Sequence, residues 1–215
     1  GLDKLPTPQF MEADLVVLRR EGLPIRMSRG CPRRCALCSD QPLEGRYRTR
    51  PAHEVVEEMI YHARNNDVRR FNFVDLVING DLEQVEAICD MLLQNDEELE
   101  WWGRALVDAN MPRQLYRKMR LAGCIGLEFD VLSGSDRVLE SQGAGFKADD
   151  ATEAVTWANA AGINVQVSVV IGLPGEAELE FGETAAWLEK NRYQISRIKD
   201  LMPCTLQEGS ILLRN

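Results

Sequence analysis

An α/β fold built from parallel strands is the fold class that the sequence predicts, and two observations support it. Segments rich in apolar and β-branched residues alternate with amphipathic segments of helical period, in a regular strand-then-helix order. The length of 215 residues and the hydrophobic content of 45% are enough for one sizeable core. Strands separated by helices run parallel with right-handed crossovers, so six such units predict either a doubly wound sheet or an incomplete barrel.

The positions of the elements follow from the apolar patterns. The predicted strands lie near residues 24–28, 70–75, 99–106, 125–132, 164–171 and 195–202. The predicted helices cover about residues 51–65, 82–94, 112–122, 136–141, 149–161 and 176–190. Pro51 suits the first position of its helix, and Val55 and Met59 fall on one face of it. Gly123 and Gly162, each just before a strand, are placed as helix C-terminal glycines.

The net charge limits which kinds of partner the chain is expected to bind. A formal net charge of −9 and a sequence pI near 4.9 mean that the body of the domain repels a phosphate backbone, which disfavours nucleic acid. The charge is uneven, however, because arginines gather around a cysteine cluster while acidic residues lie mostly later. These arginines are Arg19, Arg20, Arg26, Arg29, Arg33, Arg34, Arg46, Arg48 and Arg50. They are expected to be solvated surface residues or to neutralise an anionic cluster, a carboxylate or an anionic substrate.

The first 20 residues resemble an interdomain linker, with Pro6 and Pro8 placed before Phe10. We therefore expect residues 1–20 to follow a missing N-terminal domain and residues 21–215 to form the core domain. No apolar run approaches the roughly 18 to 20 residues that span a bilayer, and the start has no signal-peptide pattern. The sequence thus predicts a cytoplasmic protein.

Cys31, Cys35 and Cys38 place three thiols within eight residues, directly after the first predicted strand. In a reducing compartment this density favours metal binding over disulfides. Three ligands are one short of a closed structural zinc site, and the histidines His53 and His62 fall on the first predicted helix. An iron–sulfur cluster with one open iron fits this count, since that iron can chelate a ligand and pass it an electron. A zinc site or a loop of unpaired thiols is the alternative.

The motif Cys-x3-Cys-x2-Cys after the first strand of a six-fold βα chain resembles the radical S-adenosylmethionine superfamily, over nearly the whole chain. The resemblance implies a partial (β/α)6 barrel of the TIM type. It also implies a [4Fe-4S] cluster on Cys31, Cys35 and Cys38, whose fourth iron chelates the amino and carboxylate groups of S-adenosylmethionine. Electron transfer then cleaves the sulfonium to methionine and a 5′-deoxyadenosyl radical. Reactive loops of such barrels lie at the C-terminal ends of the strands.

Three further segments match the family pattern and supply candidate binding residues. Gly172, in the segment from Ser168 to Glu176, lies where the family's backbone approaches the adenine, and the missing Cβ permits that approach. Asp75 lies at the second-strand position over the methionine end and would accept from the amino group, or else cap the next helix. Arg104, at the end of the third strand, is a candidate partner for a carboxylate, or else a rim salt bridge.

The fourth-strand segment resembles the family's Gly-x-Glu-Ser-Gly-Ser motif but departs from it. Ser133 and Ser135 keep their places and would donate to the S-adenosylmethionine carboxylate. Leu132 stands where the family usually has a Glu that binds the ribose, so Asp130 is a candidate replacement. A second departure is Leu37, because most members have an aromatic residue before the last cysteine.

The preferred function is that of a radical S-adenosylmethionine enzyme core, most like the branch with a cobalamin-binding domain. That branch includes methyltransferases and the anaerobic oxidative cyclase of chlorophyll synthesis. The expected partners are a small-molecule substrate and an external one-electron donor such as flavodoxin or ferredoxin. Cobalamin would be bound through the missing domain. The alternatives are a methylthiotransferase and a non-catalytic metal-binding module with a degenerate site.

The other three cysteines are predicted to lie outside the cluster. Cys89 falls on the apolar face of a helix and Cys124 opens a strand, so both are expected to be inert core thiols. Cys204 follows the sixth strand at the reactive rim, where a catalytic role is a weaker alternative to a buried thiol.

Overall fold

A computed structural model describes the backbone of residues 7–214, with all their side chains except those at positions 41 and 42. In chain order, the elements are α1 Glu12–Glu21, β1 Leu23–Ile25, β2 Ser28–Arg29, α2 Asp40–Glu44, β3 Arg48–Thr49, α3 Ala52–Asn66, β4 Arg70–Phe73, α4 Leu82–Leu93, β5 Glu100–Ala105, α5 Arg113–Leu121, β6 Cys124–Leu132, α6 Asp136–Ser141, α7 Ala148–Ala160, β7 Asn164–Ile171, α8 Glu178–Lys190, β8 Arg197–Pro203 and α9 Ile211–Arg214.

Six strands form one parallel sheet in the order β1-β4-β5-β6-β7-β8. Each strand pairs with the next strand of the set along the chain, so the order never reverses. A doubly wound sheet needs such a reversal, and its absence from the described sheet leaves the open, partial barrel. The sequence analysis had kept both architectures until the family resemblance chose the barrel, and the strand order confirms that choice. The C-terminal ends of all six strands lie at one rim.

The six predicted strands and six predicted helices of the barrel are all present, with ends displaced by a few residues. Helix α3 begins one residue after Pro51, which is its N-cap, and buries Val55 and Met59. Gly123 and Gly162 have φ angles of +93° and +83°, as helix C-terminal glycines do. A Cβ on Gly123 would collide with the carbonyl oxygen of Leu99, so the turn into β6 requires glycine.

Five of the described elements were not predicted, namely α1, β2, α2, β3 and α9. Helix α1 lies inside the segment that the sequence analysis assigned to a linker, and its Leu15 is buried in the core. Residues 1–6 of that segment lie outside the described residues. Strands β2 and β3 form a small antiparallel hairpin that pairs Ser28 with Thr49 and Arg29 with Arg48. Strand β2 ends just before the loop that carries the three clustered cysteines, and β3 follows that loop after α2.

The core fills the space between the sheet and the helices, with Phe71, Phe129 and Val167 fully buried. Cys89 and Cys124 are also fully buried, which confirms that both are core thiols. Burial raises the pKa of Cys89 to about 12, so this thiol stays protonated. Within residues 7–214, no helix combines the length and the apolar character that a membrane crossing requires.

Candidate functional site: a cysteine loop over a polar strand rim

The cysteine loop joins β2 to α2, and contacts from three other parts of the chain hold it in place. The Arg33 guanidinium donates to the carbonyl oxygen of Val107 at 2.6 Å and to that of Ala144. The amide of Ala36 donates to the carbonyl oxygen of Gln142 at 2.8 Å. These bonds tie the loop to the ends of β5 and α6, so the loop conformation is fixed by the protein itself.

Cys31, Cys35 and Cys38 are free thiols, each partly buried, and all three line one cavity. Burial, together with the neighbouring thiols, raises the pKa of Cys35 to about 11. Crowding three thiols in a partly buried loop is therefore unfavourable for their ionised forms. A bound metal cluster reverses this, because cations stabilise thiolates.

No three His, Cys, Asp or Glu side chains in the described part of the chain converge closely enough to hold a single metal ion. A [4Fe-4S] cluster takes one thiolate on each of three irons. Its ligands therefore surround the cluster without meeting at one point. The three thiols on one cavity wall fit that donor set.

The cavity has a volume of about 270 Å³ and opens at the C-terminal rim of the sheet. One wall is the cysteine loop. The floor is polar and comes from four adjacent strands. Its polar side chains are Arg104 on β5, Glu128 and Asp130 on β6, Ser168 on β7 and Asp200 on β8. The strand register places Asp130 opposite Ser168 and Ser168 opposite Asp200, so these three lie in one row across the sheet.

Glu128 is the buried centre of the floor, with only 2% of its surface exposed. It accepts from Lys199 Nζ at 2.6 Å and from Arg104 Nη2 at 3.4 Å. Both cations compensate the buried carboxylate, and removing both would leave a buried charge without a partner. The Nε of Arg104 is buried without a hydrogen bond in the described residues. The guanidinium therefore keeps donor capacity at the cavity floor.

Asp130 projects into the cavity from β6, with 47% of its side chain accessible. That accessible area faces the cavity rather than open solvent, and burial raises the pKa of the carboxyl while the Arg104 guanidinium opposes this shift. Arg104 Nε lies 3.7 Å from Asp130 Oδ2. The carboxylate is thus positioned by an arginine and free to accept from a ligand hydroxyl.

Leu132 lines the same cavity but belongs to an apolar cluster with Val170 and Leu173, against which Leu37 also packs. The two departures from the family pattern, Leu37 and Leu132, therefore share one apolar wall. Leu132 has a φ angle of +65°, which is rare for a residue with a branched side chain, and the β6–β7 pairing is irregular between Asp130 and Leu132.

The structure places Asp75 outside the cavity. Its carboxylate is 5% exposed and lies outside the cavity lining. It accepts from the amide of Met27 at 3.1 Å, from the amide of Ser28, and from Ser28 Oγ at 2.7 Å. Burial raises the pKa of Asp75 to about 6. Asp75 therefore fastens the chain between β1 and β2 to the end of β4, and these bonds face away from a ligand.

Ser133 and Ser135 do not line the cavity either. Ser133 is fully buried, and its Oγ lies 2.9 Å from Thr184 Oγ1 on α8 and accepts from the amide of Ser135. Ser135 is the N-cap residue of α6, and its Oγ is buried with no partner among the described residues. The two serines thus join β6, α6 and α8.

Gly172 lies just after β7, exposed, with a φ angle of +78°. A Cβ at this position would meet no atom within 4 Å. Its amide donates to the carboxylate of Glu176, which stabilises the turn. Gly172 does not line the cavity, and the open space beside it would admit a flat ring against the backbone.

Four functional candidates were missed: Glu128, Ser168, Lys199 and Asp200. Ser168 stood in the quoted β7 segment, so its position at the strand rim was available from sequence. Lys199 and Asp200 are adjacent in β8, and strict strand alternation places neighbours on opposite faces. The β7–β8 register shifts between Val167 and Ser168, which lets Lys199 reach Glu128 while Asp200 lines the cavity.

This loop and rim are those of a known enzyme family. The sequence profile of the Radical SAM superfamily matches residues 25–188, which is most of the chain, and the chain belongs to that superfamily. Membership implies a [4Fe-4S] cluster and S-adenosylmethionine as cofactors and shows that the chain is an enzyme core.

Two curated relatives indicate the range of the family. An uncharacterised methyltransferase of Pyrococcus horikoshii is 25% identical over 194 residues, which cover 88% of this chain and 42% of the relative. The ribosomal protein uS12 methylthiotransferase RimO of Pelodictyon phaeoclathratiforme is 26% identical over 178 residues, which cover 79% of this chain and 41% of the relative. The chain therefore spans about two fifths of the length of these relatives.

Solved structures share the fold. The radical S-adenosylmethionine methyltransferase TsrM from Kitasatospora setae, with cobalamin and a [4Fe-4S] cluster bound, has a TM-score of 0.80 and 21% identity, covering 93% of this chain and 40% of that one. The cobalamin-dependent S-adenosylmethionine radical enzyme OxsB has a TM-score of 0.76 and 19% identity, covering 98% of this chain and 31% of that one.

Proposed function

We propose that this chain is the catalytic core of a cobalamin-dependent radical S-adenosylmethionine methyltransferase. The observation that carries the proposal is the single cavity that joins the three thiols of the cysteine loop to the polar floor of β5–β8. Cys31, Cys35 and Cys38 are the cluster ligands. When bound, the cluster supplies the electron that cleaves the sulfonium of S-adenosylmethionine.

The chain's own residues bind and orient the cosubstrate. Arg104, whose Nε lacks a hydrogen-bond partner within residues 7–214, binds the carboxylate. Asp130 accepts from the ribose hydroxyls, in place of the family's Glu, because Leu132 cannot accept a hydrogen bond. The backbone at Gly172 contacts the adenine, and the apolar wall around Leu132 and Val170 excludes water from the site.

Cobalamin enters the proposal as methyl carrier, supported by the likeness to TsrM and OxsB and to a relative named as a methyltransferase. A domain outside residues 21–215 would bind it. The substrate is a small molecule, since a chain of net charge −9 disfavours nucleic acid. A cytoplasmic location, where thiols stay reduced, completes the proposal.

A second candidate function is methylthiotransfer to a ribosomal protein, which the 26% identity to RimO favours. It uses the same cluster and the same cosubstrate site, so the residues of this chain support both functions alike. The two differ in what receives the methyl group and in the need for cobalamin.

One experiment separates the possibilities. The protein is reconstituted anaerobically with iron and sulfide, reduced with dithionite, and supplied with S-adenosylmethionine bearing a deuterated methyl group, with and without cobalamin. Labelled methylcobalamin and S-adenosylhomocysteine support the proposal. A labelled methylthio group on uS12, formed without cobalamin, supports the second candidate. Absence of iron uptake and of any cleavage product contradicts both, and binding of zinc alone by the same protein would indicate a non-catalytic metal-binding module.

A further inference from the structure

A patch of positive charge lies beside the cysteine loop of this acidic protein. Residues 26–50 contain seven arginines against two carboxylates, Asp40 and Glu44, a net charge of +5 in a chain of −9. Arg33 and Arg50 of this segment point inward to backbone and buried partners. The outward part is the β2–β3 hairpin, and we call the surface formed by Arg29, Arg46 and Arg48 the basic hairpin.

The basic hairpin brings like charges together at the surface. Arg29 and Arg48 are directly opposite each other in the β2–β3 register, and Arg29, Arg46 and Arg48 are all exposed. Arg48 Nη1 donates to the carbonyl oxygens of Glu44 at 3.1 Å and Arg46 at 2.9 Å, contacts that leave its charge unneutralised. Like charges opposite each other in a hairpin are destabilising.

Among the described residues, one carboxylate pairs with an arginine of the basic hairpin, and a second arginine outside the hairpin shares it. Glu44 accepts from Arg29 Nε at 3.0 Å and from Arg26 Nη1 at 3.3 Å. Within residues 7–214, neither Arg46 nor Arg48 has a carboxylate within ion-pair distance. The fold therefore carries unpaired positive charge where it gains no stability from it, which points to an anionic partner outside the chain.

The basic hairpin is also next to the cluster ligands. A Cβ on Gly30 would lie 2.8 Å from the carbonyl oxygen of Arg46, so glycine is required for this close packing. Gly30 directly precedes Cys31, whose Cα is therefore about 3.8 Å further along the chain. A partner seated on the hairpin comes within a few ångströms of the ligand loop, whose thiols are themselves only partly buried.

We infer that the basic hairpin is the docking surface for an acidic one-electron carrier protein that reduces the cluster. This inference rests on the proposed function and adds to it where the electron enters. In the transfer, the reduced carrier is oxidised by one electron and the [4Fe-4S] cluster is reduced from the 2+ to the 1+ state, while no atom changes place. The hairpin contributes orientation and a faster encounter, because complementary charge steers association.

The test uses the reconstituted protein and an acidic flavodoxin in its reduced form. In the double variant Arg46→Glu/Arg48→Glu, both the affinity for flavodoxin and the rate of cluster bleaching in stopped flow should fall about tenfold or more at low ionic strength. The difference should shrink toward about 1 M salt, where the Debye length is about 3 Å. The charge-conserving variant Arg46→Lys/Arg48→Lys should retain most of the wild-type affinity.

The matched control is Arg113→Glu/Arg117→Glu, the same change of charge on two exposed arginines of α5, which packs against α4, α7 and β6. Because this control changes the net charge by the same amount, it measures the effect of net charge alone. Its affinity for flavodoxin and its bleaching rate should stay within about twofold of wild type. Equal losses in the control and the hairpin variant would overturn the inference. So would unchanged affinity in the hairpin variant, or tight binding of an RNA oligonucleotide to the hairpin without any effect on flavodoxin.

Dithionite separates this inference from the proposed function. As a small reductant it needs no docking surface, so the hairpin variant should form cleavage products with dithionite at the wild-type rate. If wild-type protein fails to form products with dithionite, the proposed function fails. If products form normally but flavodoxin binding is indifferent to the hairpin charges, only the docking surface is refuted.

Discussion

Asp75 and Asp130 look alike in the sequence, because each is a carboxylate at or just after the end of a barrel strand. The structure gives them opposite roles. Asp75 is buried at the β4 end, where three donors from Met27 and Ser28 occupy its oxygens. Asp130 is open to the cavity at the β6 end, held by Arg104. A strand-end carboxylate thus marks a ligand site only where the neighbouring backbone leaves its lone pairs free.

The largest expected effect is on folding at the β4 end. In Asp75→Ala, the buried amides of Met27 and Ser28 lose their acceptor, and the free energy of unfolding should fall by about 3 kcal/mol. S-adenosylmethionine affinity of the folded fraction should change little. Urea denaturation and calorimetry measure the two quantities. A stable Asp75→Ala protein that no longer binds S-adenosylmethionine would mean that Asp75 belongs to the cosubstrate site.

Asp130→Asn should show the reverse pattern. Loss of a charge-assisted hydrogen bond to the ribose costs about 1.5 to 3 kcal/mol, a tenfold to hundredfold loss of S-adenosylmethionine affinity. Stability should be nearly unchanged, because the side chain is half accessible and its ion pair with Arg104 is long. Calorimetric titration of the reconstituted variant decides it. Wild-type affinity in Asp130→Asn would break the contrast between the two carboxylates.

Leu132→Glu sharpens the comparison by restoring the family's residue beside Asp130. The new carboxylate would enter an apolar cluster and face a like charge, so we expect no gain in S-adenosylmethionine affinity. The free energy of unfolding should fall by about 1.5 kcal/mol. Titration and denaturation of the same sample measure both. Tighter binding together with no effect of Asp130→Asn would mean that Asp130 has not replaced the missing Glu.

The smallest expected effect is a pH dependence at the β4 end. Burial raises the folded pKa of Asp75 to about 6, above the unfolded value of about 3.9. The folded state therefore binds the proton more tightly, and the stability contributed by this group is lost as pH rises through about 6. Relative to Asp75→Asn, the wild type should lose about 1 kcal/mol between pH 5 and 7. If the free energy of unfolding of the wild type instead rises with pH relative to that of Asp75→Asn, the burial argument is contradicted.

The barrel elements could be predicted from the sequence because apolar strand and helix patterns alternate along it, with Gly123 and Gly162 marking two of the turns from helix to strand. Helix α1 escaped prediction, since it buries one residue, Leu15, and so lacks a clear apolar face. Cys31, Cys35, Cys38 and Arg104 line the cavity, as motif spacing and strand ends predict. Asp75, Ser133 and Ser135 lie outside the cavity lining, and spacing could not show this because it does not reveal which way a side chain points after a strand ends.

The missed floor residues have a different cause. Lys199 contacts Glu128 and Asp200 lines the cavity because the β7–β8 register shifts, and a register shift leaves no trace in the alternation of apolar and polar residues. Glu128 was overlooked since a buried carboxylate is expected only where cations accompany it, and those cations, Arg104 and Lys199, are 24 and 71 residues away in sequence.

The central claim is that Cys31, Cys35 and Cys38 hold the cluster that cleaves S-adenosylmethionine. The most direct test measures iron per chain, together with S-adenosylmethionine cleavage products, in Cys31→Ala, Cys35→Ala and Cys38→Ala after anaerobic reconstitution. We predict loss of the cluster and of the products in all three, with the fold retained because the ligands lie on a loop outside the core. Cys89→Ser, a buried control, should keep its iron. Full activity in any one of the three variants, or loss of iron in Cys89→Ser, would contradict the assignment.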